Sequence, residues 1–88
     1  MIGEYIFTSH AETEIRRRGL EEAIVRKVVE APEQQIEGAG GRVTVQSRVS
    51  MQNKLYLVRV VVDTGRMPAQ VVTAYRTSKI GKYWRKSP

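Results

Sequence analysis

From Arg42 to Met51 the chain alternates. Val43, Val45, Val49 and Met51 fall on one side of an extended backbone, and Arg42, Thr44, Gln46, Arg48 and Ser50 fall on the other. Successive strand residues point to opposite faces, so this run predicts a half-buried strand with a polar outer surface. Gln52-Asn53-Lys54 then predicts a turn into a second apolar strand, Leu55 to Val62, which makes a hairpin. Asp63 to Pro68 is the next turn, and Val71 to Tyr75 is a third strand. Its apolar residues on both faces predict a central, well-buried position.

The first 37 residues follow a different period. Tyr5 to Phe7 is a short β-prone run, and Ser9-His10-Ala11-Glu12 has the Ser-x-x-Glu form of a capping box, so a helix is expected from Ser9. Ala11 and Ile15 are spaced by one helical turn, Arg16 to Arg18 fill the last turn and Gly19 provides the stop. A second helix is expected over Glu21 to Ala31, with Ile24, Val25, Val28 and Val29 on one side and Pro32 ending it. Gly38 to Gly41 reads as a loop, and the tail from Thr77 to Pro88 as a short helix or coil packed back on the sheet. The expected fold class is therefore α+β, with two antiparallel N-terminal helices joined by a glycine turn and then an antiparallel sheet, in one domain of 88 residues.

Charge is distributed as unevenly as secondary structure. Residues 1–37 carry five Lys and Arg against eight acids, whereas residues 38–88 carry ten against Asp63 alone. The net charge of +6 is thus made in the second half, a distribution suited to a polyanionic partner, with nucleic acid foremost and bare solubility the plain alternative. With no cysteine, thiolate chemistry and disulfides are excluded. The N-terminus lacks a signal-peptide pattern and apolar runs are short, so the expected location is cytoplasmic, with no membrane partner. One histidine without cysteine leaves no familiar zinc triad, and a single carboxylate after Glu37 makes a two-metal nuclease site hard to assemble. The GAGG run lacks the Lys-Ser/Thr of a phosphate-binding loop, so no cofactor or metal is expected.

His10 is the only side chain with an unperturbed pKa near neutrality, placed at a helix start where it is either an acid-base group or an ordinary surface histidine. Thr73 and Tyr75 leave the same face of a strand, for phosphate contact and proton donation or for plain sheet packing. Arg59 points the same way as Leu55, Leu57 and Val61, so it is a core ion-pair partner or a phosphate clamp. Arg42 and Arg48 share the polar face of the first long strand, and Arg76, Lys79 and Lys82 follow the third. Lys79 to Lys86 interleaves cations with Tyr83 and Trp84, a pattern suited to unpaired nucleic acid or to a docked C-terminus. What these parts allow is metal-independent RNA cleavage by the neighbouring 2′-hydroxyl, which needs a base, a cation and an acid.

His10-Ala11, Arg16-x-Arg18-Gly19-Leu20, Glu30-Ala31-Pro32-Glu33, Val71 to Ile80 and Lys82-Tyr83-Trp84 together resemble a small prokaryotic family of single-domain proteins. That family looks like a branch of the RelE/ParE-like toxin superfamily, which shares its fold with barnase, colicin and EndoU nucleases. The resemblance implies helices on one face of the sheet, an opposite face that meets RNA, free or ribosome-bound, and an acidic antitoxin as protein partner. Carried over by position, it marks His10, Arg18, Thr73 and Tyr75 as site residues. Relatives often carry a cation where this chain has Glu14, so Arg17, Arg48 or Arg59 must replace it if activity is kept.

Overall fold

The computed structural model describes residues 2–86. Five strands and three helices follow in the order β1 (Tyr5–Phe7), α1 (Ser9–Arg17), α2 (Glu22–Glu30), β2 (Gln34–Glu37), β3 (Arg42–Met51), β4 (Lys54–Asp63), β5 (Ala69–Thr77) and α3 (Ile80–Tyr83). The strands form one sheet in the order β1-β5-β4-β3-β2. The fold class is α+β as expected, but the sheet is mixed: β1 runs parallel to β5, pairing Tyr5 with Ala69 and Phe7 with Val71, while the other contacts are antiparallel.

The β3–β4 hairpin closes through two residues, Gln52 and Asn53, both at positive φ (54° and 62°), instead of three. Primed two-residue turns require this backbone because it matches the twist of the strands. The turn fixes ten pairs, from Met51 with Lys54 to Arg42 with Asp63. Alternation sorts β3 as expected, with Val43 and Val45 inward; on β4 it is Val58, Val60 and Val62 that join them, buried with Ala11, Ile15, Leu20, Val25, Val28 and Val29 of the helical region in one core.

The cap of α1 is Thr8, not Ser9. Its Oγ1 accepts from the Ala11 N–H (3.0 Å) and donates to the Val71 carbonyl (3.1 Å), which also receives the Thr8 N–H (3.2 Å). One residue thus starts the helix and fastens it to β5. At the other end Gly19 (φ 64°) reverses the chain: its N–H donates to the Arg16 carbonyl and that of Leu20 to the Ile15 carbonyl. This is a Schellman closure, and Leu20 and Ile15 are both buried beside it.

Two expectations for the sheet are corrected. The sequence reading assigned no strand between α2 and the glycine loop, yet β2 lies there and pairs Gln34 with Gln46 through Glu37 with Val43. β4, not β5, is central, and β1 covers β5 only over residues 69–71. The apolar residues on both faces of β5 arise from a bulge: Val62 pairs with Val71 but Val61 with Thr73, leaving Val72 as the extra residue. The tail folds back as one helical turn, α3; Ser87 and Pro88 lie outside the described residues. Among the described residues, no helix is long and apolar enough to cross a membrane.

Gln52 is poorly suited to a left-handed backbone, which costs non-glycine residues roughly 1–2 kcal/mol. Replacing Gln52→Asn together with Asn53→Gly should raise unfolding free energy by about 1 kcal/mol, read as a higher urea midpoint at unchanged slope. An unchanged midpoint would show that this turn stores no strain.

Candidate functional site

On the face of the sheet away from Val43, Val45, Val58 and Val60, four strands contribute one polar residue each to a single row. Gln34 of β2 is opposite Gln46 of β3, Gln46 opposite Arg59 of β4, and Arg59 opposite Tyr75 of β5. The side chains are joined in the same order. Gln46 Nε2 donates to Gln34 Oε1 (2.8 Å), Arg59 Nε donates to Gln46 Oε1 (2.8 Å), and Arg59 Nη1 donates to the Tyr75 hydroxyl oxygen (2.7 Å).

Gln46 is fully buried, at 0% exposure, so its amide must be satisfied from within. The C-terminal segment does this: Gln46 Nε2 also donates to the Tyr83 carbonyl (3.2 Å), and Gln34 holds both the Arg85 N–H (3.0 Å) and carbonyl (2.6 Å). These bonds seat the Tyr83 ring 4.3 Å from the Arg59 guanidinium carbon and the Trp84 ring 4.1 Å from that of Arg48. The tail therefore docks as expected, and Tyr83 and Trp84 are half-buried.

Arg59 is half-buried, and among the described residues no carboxylate pairs with it. Of the two sequence readings, the core ion pair is absent. Its partners are an amide oxygen, a phenol oxygen and two aromatic rings, all neutral, so the full positive charge remains to act on a ligand. Two of its five N–H groups are engaged by the described residues. Tyr75 accepts from Arg59 and donates to no described residue, so its own proton is available to a third group. The pair offers guanidinium and phenol donors side by side, a geometry able to hold two oxygens of an anionic group.

The other predicted residues are distributed around this row. Thr73 lies on the same face as Tyr75 and receives a hydrogen bond from Arg18 Nη1 (3.1 Å), which also donates to the Ala74 carbonyl (2.8 Å). Glu14, buried to 8% exposure, pairs with Arg18 (2.8 Å) and Arg17 (2.9 Å). Arg48 is paired with Glu33 (3.1 Å), so it is largely neutralised. Of Arg17, Arg48 and Arg59, the first two pair with Glu14 and Glu33, and Arg59 meets no carboxylate among the described residues. Arg42, Lys79 and Lys82 are exposed, whereas Arg76 pairs in register with Val58 and lies over Tyr56, on the opposite face.

His10 is exposed in the first turn of α1, near the Thr8–Val71 anchor, and makes no hydrogen bond to a described residue. Arg18 is eight positions further on, about 12 Å along the helix axis. His10, Glu14 and Arg18 nonetheless share one stripe of α1, and the far end of that stripe reaches Thr73. The arrangement thus unites Arg59, Tyr75 and Gln46, with Arg18 and Thr73 alongside, and leaves His10 outside their hydrogen-bonded network. Gln34 and Gln46 were not among the residues singled out from the sequence. No group of three or more His, Asp or Glu that could hold a metal occurs among the described residues.

The Arg48 side chain and backbone N–H, both donating to Glu33, hold its carboxyl below the usual carboxylate range. A depressed folded pKa adds stability that is present above the unfolded carboxyl value and lost as pH falls through the folded one. Stability should therefore fall more steeply between pH 5 and pH 3 in the wild type than in Glu33→Gln, measured by thermal unfolding. Parallel pH profiles would place this ion pair outside the acid response.

The resemblance to toxins stands on the residues alone, because comparison of the chain with protein-family models, curated proteins and solved structures gave no significant match.

Proposed function

We propose that this chain is a metal-independent endoribonuclease of RelE-like fold, the toxin of a toxin-antitoxin pair, with the Arg59–Tyr75 pair holding the phosphodiester. The observation that carries this reading is a half-buried guanidinium with no carboxylate partner among the described residues, bonded to a phenol that donates to none of them. Ten cations against one acid in residues 38–88 supply the long-range attraction for RNA.

In the proposed reaction the 2′-oxygen attacks the adjacent phosphorus as the bond from phosphorus to the 5′-oxygen breaks, giving a 2′,3′-cyclic phosphate and a free 5′-hydroxyl. Arg59 stabilises charge on the phosphoryl oxygens, Tyr75 gives its proton to the departing 5′-oxygen, and His10 is the base that accepts the 2′-hydroxyl proton. Arg18, Thr73, Arg42, Arg48, Lys79 and Lys82 contribute to RNA binding, while Arg76 faces away from this path. That His10 makes no hydrogen bond into the Arg59–Tyr75 network among the described residues favours a second reading, a non-catalytic RNA- or protein-binding module using the same pair and cations without turnover.

Purified protein should cut RNA in EDTA and leave cyclic phosphate ends. Tyr75→Phe and Arg59→Gln should each lower the rate by about 10²- to 10⁴-fold with RNA binding retained in the former. Loss of the same size in His10→Ala would support its role as base, and full activity would remove it. Binding by the wild type without cleavage, with or without ribosomes, would select the second reading.

A further inference from the structure

The C-terminal segment does more than cover the row. Four hydrogen bonds fix its backbone: Trp84 N–H to the Ile80 carbonyl (2.8 Å), Gln46 to the Tyr83 carbonyl, and the Gln34 amide to both main-chain groups of Arg85. Tyr83 and Trp84 are thereby held as neighbours at defined positions, each half-exposed, and each with a guanidinium on its ring. A surface aromatic normally loses rotamer freedom when it captures a ligand. Here that freedom is already restricted by contacts made within the chain.

We infer that Tyr83 and Trp84 form a stacking shelf for an unpaired nucleobase, so that the site takes single-stranded rather than duplex RNA. The inference rests on the RNA reading above. Arg59 lies recessed beside Tyr83, so a phosphate reaching it brings its neighbouring nucleotide against the two rings. A base stacked there completes a sandwich of guanidinium, ring and base, in which the ring gains from the cation as well as from the base. Bases inside a duplex are already stacked on each other and cannot reach the rings, whereas an unpaired strand can splay one out. Lys79, Lys82, Arg85 and Lys86 are exposed around the shelf and hold the flanking phosphates.

Trp84 is the only tryptophan in the chain, so its fluorescence reports on the shelf directly. The test titrates the full chain with a single-stranded 2′-O-methyl RNA, which cannot be cut, with the same strand in a duplex, and with inorganic polyphosphate. The single strand should quench Trp84 and bind at least tenfold more tightly than the duplex, and polyphosphate should bind without quenching. Trp84→Leu should weaken single-strand binding by roughly 5- to 150-fold, and Trp84→Tyr should restore most of it. Circular dichroism of both variants checks that the fold is kept.

Equal affinity for single strand and duplex, or unchanged affinity in folded Trp84→Leu, would overturn the shelf even if the protein cleaves RNA. Quenching and single-strand preference without cyclic phosphate products would keep the shelf and overturn the nuclease. Absence of binding to every oligonucleotide would overturn both.

Discussion

The register of β3 against β4 is the constraint on which the remaining structure depends. A two-residue turn pairs Met51 with Lys54, and parity carries that choice through ten pairs to the other end of the hairpin. A slip of one residue would turn every side chain of one strand to the wrong face. In the observed register Val45 opposes Val60 and Val43 opposes Val62, closing the core, and Gln46 opposes Arg59 on the reverse side. β2 and β5 then extend the polar row at its two ends, so core and candidate site are consequences of the same pairing.

Charge segregation along the sequence becomes charge selection in space. Glu14 takes Arg17 and Arg18, Glu22 takes Arg26, Glu33 takes Arg48, and Asp63 takes Arg66. Three of these four acids lie in the first 37 residues, and the fold brings only Glu33 across to a cation of the sheet's polar face. Arg48 and Arg59 look equivalent as arginines on adjacent strands, yet one pairs with Glu33 and the other meets no carboxylate among the described residues. The difference is position: Glu33 enters β2 beside Ser47 and Arg48, while Arg59 lies two strands from that edge. Half-burial of the Arg59 cation carries a desolvation cost, which here is offset by two hydrogen bonds and ring contacts.

Periodicity made the helices, the hairpin and the facing of Val43, Val45, Arg59, Thr73 and Tyr75 legible before any coordinates, because each depends only on local parity. The Gln46–Arg59 pair follows from counting outward from Gln52-Asn53, and a three-residue turn shifts that count by one. The Arg59–Tyr75 pair was not legible, since it requires the Val72 bulge, which no residue type announces. β2 escaped notice because Gln34 to Glu37 has one apolar residue, Ile36, and forms a strand only against β3. The Thr8 cap was obscured by Ser9, an equally good capping residue one position later.

The chemistry of Gln46 explains why an uncharged polar residue occupies the most buried place in the row. It must accept from the Arg59 Nε–H and at the same time donate to Gln34 and to the Tyr83 carbonyl. A glutamate would accept from Arg59 but cancel its charge and repel both acceptors; a leucine would strand a guanidinium N–H and a carbonyl without partners. A lysine would place two cations together. Only an amide satisfies donor and acceptors while leaving the guanidinium charge intact. The same amide fastens the C-terminal segment, so the seat of Tyr83 and the orientation of Arg59 are set by one side chain and vary together.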